Sequence, residues 1–345
     1  MMNPPYVARP FKGRDDVGGR LLASLKGSRY MGLLLLFAFA RPLCAQETHL
    51  IVIVGSAGDQ EHSDKFHKWA TTLIDAARRQ DGVADGNITY LAERPEIDPS
   101  RIGGRSTREN VEKTFADLSA RVAPNDQIFV VLFGHGSFDG RKATFNLPGP
   151  DLTAEDYAKL LDKLAAGHVV FVDTTSASGA FLQPLAGANR VIVTATKTGG
   201  ERNETEFPQY FVEAFATGAA DRNRDGRVSV MEAFEYARTK VTQAYQQKGL
   251  LMTEHAAIED GSGGNVASTL FMQSPHARSA AIATTANPAL RSLLEEKLAL
   301  EDQIAALKLQ KPKMDPADYE QALEKLATDL ALKTRAIQQI EGKKP

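Results

Sequence analysis

The chain has 345 residues, of which 43% are hydrophobic and 24% are charged, and its formal net charge at pH 7 is −2. This composition is typical of a globular protein and excludes a fibrous or wholly disordered chain. The length suggests about two domains, and the small net charge gives no reason to expect a nucleic acid or an anionic membrane as partner.

The first 45 residues have the features of a secretory signal. Basic residues precede an apolar run over residues 31–40, and the small residue Ala45 precedes Gln46. This order predicts cleavage after Ala45 and a secreted or periplasmic protein. The run is shorter than the roughly 20 residues of a spanning helix, so we expect no membrane span in the mature protein. An uncleaved anchor is the alternative. Cleavage would also remove Cys44, the only cysteine.

Residues 47–274 alternate between apolar runs and segments of helical periodicity. The runs predicted as strands are residues 50–54, 88–91, 128–133, 169–172 and 191–195. The segments predicted as helices are residues 64–79, 107–122, 152–164, 207–215 and 230–245. Continuous apolar runs are typical of parallel strands buried on both faces. The alternation therefore predicts an α/β domain with a mainly parallel sheet between two layers of helices.

Two of these predicted strands end in turns that carry reactive side chains. Residues 128–133 lead into Gly134-His135-Gly136, and residues 169–172 lead into a turn rich in hydroxyl groups, residues 173–179. Ligands of parallel sheets bind beyond the carboxyl ends of the strands, so both turns should face one cleft. A nucleophile beside a base is the general requirement for covalent catalysis.

These turns resemble those of the caspase–legumain superfamily, above all its legumain-like peptidases. In that family one strand ends in His-Gly, and the next ends in Asp/Glu-Ala-Cys-x-Ser-Gly. His135-Gly136 matches the first motif, and Ser178-Gly179 matches the end of the second. The resemblance implies a caspase-like three-layer fold. It also implies that His135 is the catalytic base and that the N–H group of Gly136 helps to hold the oxyanion.

The position of the nucleophilic cysteine carries a hydroxyl residue in this chain. Aligning Ser178-Gly179 with the family motif places Ser176 there, whereas aligning Asp173 places Thr175 there. A serine hydroxyl is a much weaker nucleophile than a thiolate and needs a well-oriented base. The sequence does not identify a carboxylate that would orient His135.

Two functions follow from this site. The first is an endopeptidase that acts on a peptide or protein substrate through His135 and Ser176. The second is a catalytically inactive protein that binds a partner through the same cleft or through its C-terminal arm, because a fold does not determine a function.

A second motif lies at residues 221–232 and fits the twelve-residue EF-hand loop. The predicted Ca²⁺ ligands are Asp221, Asn223, Asp225, the carbonyl of Arg227, Ser229 through a water, and Glu232. Gly226 stands where the loop turns sharply. The alternative is a solvated acidic turn that caps the next helix. The other histidines, His62 and His67 among them, show no metal-ligand spacing and are predicted to be surface or core residues.

The C-terminal part differs in composition from the predicted domain. Residues 275–288 are rich in Ser, Ala and Thr and are predicted to be a linker. Residues 289–342 carry heptad-like spacing in two segments joined by a turn, and Asp315-Pro316 is suited to begin the second helix. This pattern predicts an antiparallel coiled-coil hairpin. The hairpin either packs on its own domain or serves as an arm for self-association or docking.

Overall fold

A seven-stranded sheet forms the centre of the computed structural model, which describes residues 46–261, 263 and 265–342. Its strands are β1 Thr48–Val54, β2 Ile88–Ala92, β3 Gly104–Arg105, β4 Gln127–Phe133, β8 His168–Asp173, β9 Arg190–Thr194 and β10 Ala257–Glu259. A small antiparallel sheet consists of β5 Gly136–Phe138, β6 Ala143–Phe145 and β7 Leu152–Thr153. The predicted signal, residues 1–45, lies outside the described part of the chain.

The helices follow the strands in the alternation that the sequence predicts. They are α1 Gln60–Arg79, α2 Arg108–Ser119, α3 Ala154–Leu161, α4 Leu182–Leu185, α5 Phe207–Thr217, α6 Val230–Lys248, α7 Pro275–Ala283, α8 Pro288–Gln310 and α9 Pro316–Ile340. Among the described residues, no helix is long and apolar enough to cross a membrane.

The strand order in the large sheet is β10-β9-β8-β4-β1-β2-β3. All neighbouring pairs are parallel except β9 and β10. The expected α/β fold with a mainly parallel sheet is therefore confirmed, and it is consistent with a caspase-like fold. The antiparallel strand β10 is absent from the sequence prediction because its three residues form too short a run to detect.

The two faces of the sheet carry separate parts of the hydrophobic core. Alternate residues such as Val52 and Val131 pack with α1, α5 and α6, whereas Ile51 and Val130 pack with α2 and α3. Both β1 and β4 are buried at all seven positions. Burying an aliphatic side chain contributes about 1.5–3 kcal/mol. This burial on both faces explains why the strands read as continuous apolar runs.

The C-terminal helices agree with the predicted hairpin, but the segment before them does not agree with a linker. Helix α7 occupies residues 275–283, so most of the predicted linker is helical. Asp315 caps α9, since its carboxylate accepts the Ala317 N–H at 2.9 Å. Helices α8 and α9 pack against each other. The division of the chain into separate domains stays a prediction.

Candidate active site

The turns after β4 and β8 lie at the same edge of the sheet. Leu132 pairs with Asp173 in the register of these parallel strands, so both chains leave the sheet side by side. The Leu132 carbonyl also accepts hydrogen bonds from the Thr174 N–H at 3.3 Å and from its hydroxyl at 2.7 Å. The structure thus brings His135 and the 173–179 turn together, as the sequence predicts.

Two glycines allow close contacts around these turns. A Cβ atom on Gly136 would collide with the Thr175 hydroxyl and would lie 3.0 Å from the Ala177 Cβ. A Cβ atom on Gly179 would lie 2.6 Å from the Thr198 Cα. Contacts this short are not found between real side chains, so both positions require the absence of a side chain. Gly136 therefore lets the His135 turn contact the 173–179 turn, and Gly179 lets the 173–179 turn contact the backbone of Lys197 and Thr198 after β9.

The ring of His135 is held by a backbone carbonyl. Its Nε2 lies 3.1 Å from the Ala57 carbonyl oxygen, which can only accept a hydrogen bond. Nε2 therefore carries the proton, and Nδ1 of the neutral ring is left as the acceptor. Phe66 packs edge-on against this ring at a centroid distance of 5.4 Å. The histidine is thus oriented by a carbonyl and an aromatic ring rather than by a carboxylate.

Ser176 shares a cavity with His135, and Thr175 does not. The half-buried Ser176 lines this cavity together with Gly134 and Thr174. Thr175 is only 1% exposed, and its hydroxyl faces Gly136 without a hydrogen-bond partner among the described residues. Within the same part of the chain, no direct hydrogen bond joins the side chains of Ser176 and His135. Of the two candidate nucleophiles, Ser176 has the position that suits the role.

Asp173 holds the turn that carries Ser176. Its Oδ1 accepts the Thr175 N–H at 2.9 Å, and the side chain is fully buried. Burial raises the pKa of this carboxyl to about 7, and the hydrogen bond from Thr175 opposes the rise in part. Asp139, the nearest carboxylate to His135 in sequence, instead accepts the N–H groups of Arg141 and Lys142. Neither carboxylate contacts the His135 ring.

A second histidine, His62, lies beside His135. The sequence did not predict His62 as part of the site. The rings of His62 and His135 are 4.9 Å apart. The His62 Nδ1 lies 2.8 Å from an Asp59 carboxylate oxygen, and its Nε2 lies 3.5 Å from Glu204. The hydrogen bond with Asp59 is the main cause that raises the pKa of His62. Glu204 lines the cavity and also pairs with Lys65.

The sequence gives only a partial signal for this second histidine. Asp59 is the N-cap of α1 and accepts the His62 N–H at 2.9 Å, as a residue three places into a capped helix would. A capping pattern was therefore detectable. The contact between His62 and His135 was not, because it joins residues 73 positions apart that meet only through packing.

The predicted EF-hand loop connects α5 and α6 and lies at the other end of α5. The Thr205 hydroxyl binds the Thr174 carbonyl just before α5 begins, and the eleven residues of α5 then span roughly 16 Å at 1.5 Å per residue. The loop is therefore remote from His135.

Within this loop, the side-chain oxygens accept hydrogen bonds from the loop's own backbone. Asp221 accepts the N–H groups of Asp225 at 3.1 Å and Gly226 at 2.9 Å. Burial is the main cause that raises the pKa of Asp221. Glu232 forms a capping box with Ser229. In the described part of the chain, no group of three or more His, Cys, Asp or Glu residues is arranged to hold a metal ion.

Comparison with known proteins agrees with this geometry. The sequence model of the Peptidase C13 family matches residues 107–259, somewhat less than half of the chain. The matched range contains β4, β8, His135, Ser176 and the 221–232 loop. A search of curated proteins gave no match. The match supports a legumain-like peptidase fold for this chain.

Proposed function

We propose that this chain is an exported endopeptidase of legumain-like fold in which Ser176 is the nucleophile and His135 is the base. The observation that carries the proposal is that the two side chains line the same small cavity, of about 10 Å³. The hydrogen bond from His135 Nε2 to the Ala57 carbonyl adds to it, because that bond leaves Nδ1 free to accept a proton.

The proposed reaction is an acyl transfer in two steps. His135 Nδ1 takes the proton of the Ser176 hydroxyl as its oxygen attacks the substrate carbonyl, and the resulting imidazolium then protonates the leaving amine. In the second step His135 takes a proton from a water molecule as the water oxygen attacks the acyl carbon; the ester bond to Ser176 then breaks, and the proton passes from His135 to the Ser176 oxygen. The Gly136 N–H is the proposed donor to the oxyanion.

The lack of a carboxylate at the His135 ring among the described residues affects the expected rate of hydrolysis. A buried carboxylate behind the histidine stabilises the imidazolium in serine hydrolases, whereas Ala57 offers only the dipole of a neutral carbonyl. We therefore expect turnover to be slow compared with that of a serine triad.

A binding module is the second candidate, and two observations favour it. Ser176 and His135 form no direct hydrogen bond in the described structure, and the pattern of the family has a thiol where this chain has a hydroxyl. In this case the cleft, or the C-terminal arm, engages a peptide or protein without cleaving it.

Labelling with a serine-directed phosphonate separates the two candidates. The endopeptidase should form a covalent adduct on the peptide that contains Ser176, and it should cleave members of a mixed peptide library. An adduct at another residue would disprove the assigned nucleophile. Saturable peptide binding without adduct or cleavage would support the binding module.

We also propose that residues 221–232 bind Ca²⁺ and that the ion stabilises the fold. Oxygen donors of the type that Ca²⁺ prefers stand at the EF-hand positions, with Asp221, Asn223, Asp225 and Glu232 as side-chain ligands. Gly226 has φ +89°, a backbone conformation that suits glycine. Glu232 would leave its capping box to reach the ion. The loop lies away from His135, so the ion has no proposed part in the reaction.

Export with cleavage after Ala45 is part of the proposed function. Its support is the apolar run over residues 31–40 behind a basic segment and ahead of a small residue. The intact mass of the exported protein should correspond to residues 46–345. A mass that includes the first 45 residues would contradict cleavage.

A further inference from the structure

A groove lies between the C-terminal hairpin and the 221–232 loop. Its volume is about 670 Å³, and its apolar lining includes Ile304 of α8 together with Leu323 and Leu330 of α9. Sites that bind specific ligands usually enclose about 300–1,000 Å³ and have mainly apolar walls with a few polar groups. The groove has both properties, and the proposed endopeptidase reaction does not use it.

The hairpin alone does not bury its apolar residues. In α9, Tyr319 and Ile337 are the buried residues, while Leu323 and Leu330 on the groove side are half-exposed. Two helices packed together leave part of their apolar surface exposed, and a third element normally packs against that surface. The groove is therefore a surface on which a further apolar element can pack beside α8 and α9.

The carboxylates at the base of the groove are already neutralised. Glu301 pairs with Arg278, with Lys297 at 3.1 Å and with Arg227 at 3.7 Å, and Arg227 also lies 3.7 Å from Asp225. Three cations thus surround two carboxylates in this buried cluster. Asp302 also interacts with Arg278 and Arg227, so the cluster holds as many cations as carboxylates.

Three further cations line the groove without a carboxylate partner. Among the described residues, no Asp or Glu oxygen lies within 4.0 Å of Arg224, Lys308 or Arg335. Opposite charges across an interface favour binding and set the register of the partner. The groove therefore complements an apolar ligand with negative charges at its margins.

The length of the groove favours an acidic helix over an amphiphile with a single acidic head group. The α9 residues that line it run from Leu323 to Gln338, which is roughly 22 Å of helix at 1.5 Å per residue. Lys308 lies near the turn of the hairpin, whereas Arg335 lies near the other end of α9. An amphiphile with one head group would need cations at one end only. A helix of about four turns can place acidic residues at both ends.

We propose that this groove binds an acidic amphipathic helix of a protein partner. Leucine-type residues on one face would pack between Ile304, Leu323 and Leu330. Glutamate or aspartate residues at the edges of that face would pair with Arg224, Lys308 and Arg335. The proposal does not depend on hydrolysis at Ser176.

Fluorescence anisotropy with a labelled synthetic peptide tests the proposal on the full chain. The probe has about 18 residues, with leucine at helical i, i+3, i+4 and i+7 spacing and glutamate at the flanking positions. We expect saturable binding in the micromolar range that weakens as salt is added, because the rim charges are solvent-exposed. A peptide with lysine in place of glutamate, and a scrambled peptide of identical composition, should bind at least tenfold more weakly.

Charge reversal on α9 offers a matched pair of variants. Arg335→Glu lies in the groove, whereas Lys325→Glu makes the same change at an exposed position of α9 that does not line it. We expect Arg335→Glu to weaken binding of the glutamate peptide by about fivefold, as a surface ion pair would. Lys325→Glu should leave the affinity unchanged. Ala327→Trp, which fills the groove without changing charge, should weaken binding when circular dichroism shows native helix content.

Four results would overturn the proposal. The first is no binding of the glutamate peptide at millimolar concentration, and the second is equal effects of Arg335→Glu and Lys325→Glu. The third is displacement of the peptide by a single-headed anionic amphiphile that binds more tightly, which would assign the groove to that ligand. The fourth is a dimer in sedimentation analysis that Ala327→Trp dissociates, which would assign it to a second copy of the chain.

Discussion

Different interactions stabilise the regions at the two ends of helix α5. At the end near His135, the side chains of Thr175 and Ala177 lie close against Gly136, and the buried Asp173 accepts a hydrogen bond from a backbone N–H. At the end near the 221–232 loop, a buried carboxylate, Glu301, is surrounded by Arg and Lys side chains. The first end is therefore sensitive to the size and protonation of its side chains. The second is sensitive to the balance of its charges.

The largest expected effect is on activity at the first end. Ser176→Ala should reduce peptide hydrolysis by about 10²-fold or more, because removal of a nucleophile abolishes the covalent pathway in a site that already lacks a supporting carboxylate. The rate of cleavage of a library-derived peptide is the measurement.

Thr175→Val is the matched control for this variant. It replaces a buried hydroxyl that has no hydrogen-bond partner among the described residues, so it should preserve both folding and turnover. If Thr175→Val loses activity and Ser176→Ala keeps it, the alignment that matches Asp173 to the family motif, and places Thr175 at the nucleophile position, is the correct one.

At the second end, Glu301→Ala should be strongly destabilising. The substitution removes the carboxylate that pairs with Arg278 and Lys297 and leaves Arg227 with Asp225 alone, and breaking a buried ion pair in this way costs about 3–5 kcal/mol. Urea unfolding of both variants measures the difference. Glu296→Ala, which removes an exposed partner of Lys333, should cost less than about 1 kcal/mol. Equal effects of the two substitutions would show that the buried Glu301 cluster is no more sensitive to loss of a charge than an exposed ion pair on the same helix.

Asp173→Asn should change the pH dependence of stability. The folded pKa of Asp173 is raised to about 7 by burial, so the protonated form is favoured in the folded state. Its contribution to stability is complete below the unfolded pKa of about 3.9 and is lost as pH rises through 7.

The asparagine variant lacks this ionisation and can still accept the Thr175 N–H. Relative to the variant, the parent chain should lose roughly 3 kcal/mol of unfolding free energy between pH 5 and pH 8. Parallel unfolding profiles of the two proteins over that range would show that Asp173 does not titrate there.

The smallest expected effect is that of calcium. At a hundredfold excess over its dissociation constant, an ion that binds only the folded state adds about 2.7 kcal/mol to the unfolding free energy. Calcium should therefore raise the melting temperature, and Glu232→Gln should remove most of that rise. An unchanged melting temperature in millimolar calcium, with no heat of binding by calorimetry, would favour the capped acidic turn instead.

The sequence predicted most of the sheet and half of the site. Strands β1, β4 and β8 are apolar runs bounded by polar or glycine residues, so local pattern was sufficient. His135 and Ser176 were found because each follows such a run. His62 and Glu204 were missed because they contribute to the site only through the packing of α1 and of the segment before α5. The helix α7 was missed because its alanines and serines carry little amphipathic pattern.

The sequence by itself determined which segments form strands and helices, since hydrophobic period and capping residues act over a few neighbouring positions. It also determined that glycines flank the reactive residues. Only the tertiary structure shows how Ser176 and Thr175 differ in position, because Ser176 lines the cavity with His135 whereas the Thr175 hydroxyl is buried against Gly136. Only the tertiary structure placed Glu301 among three cations, because Arg227 and Arg278 reach it across 74 and 23 residues of sequence, and only folding brings charges so distant along the chain together.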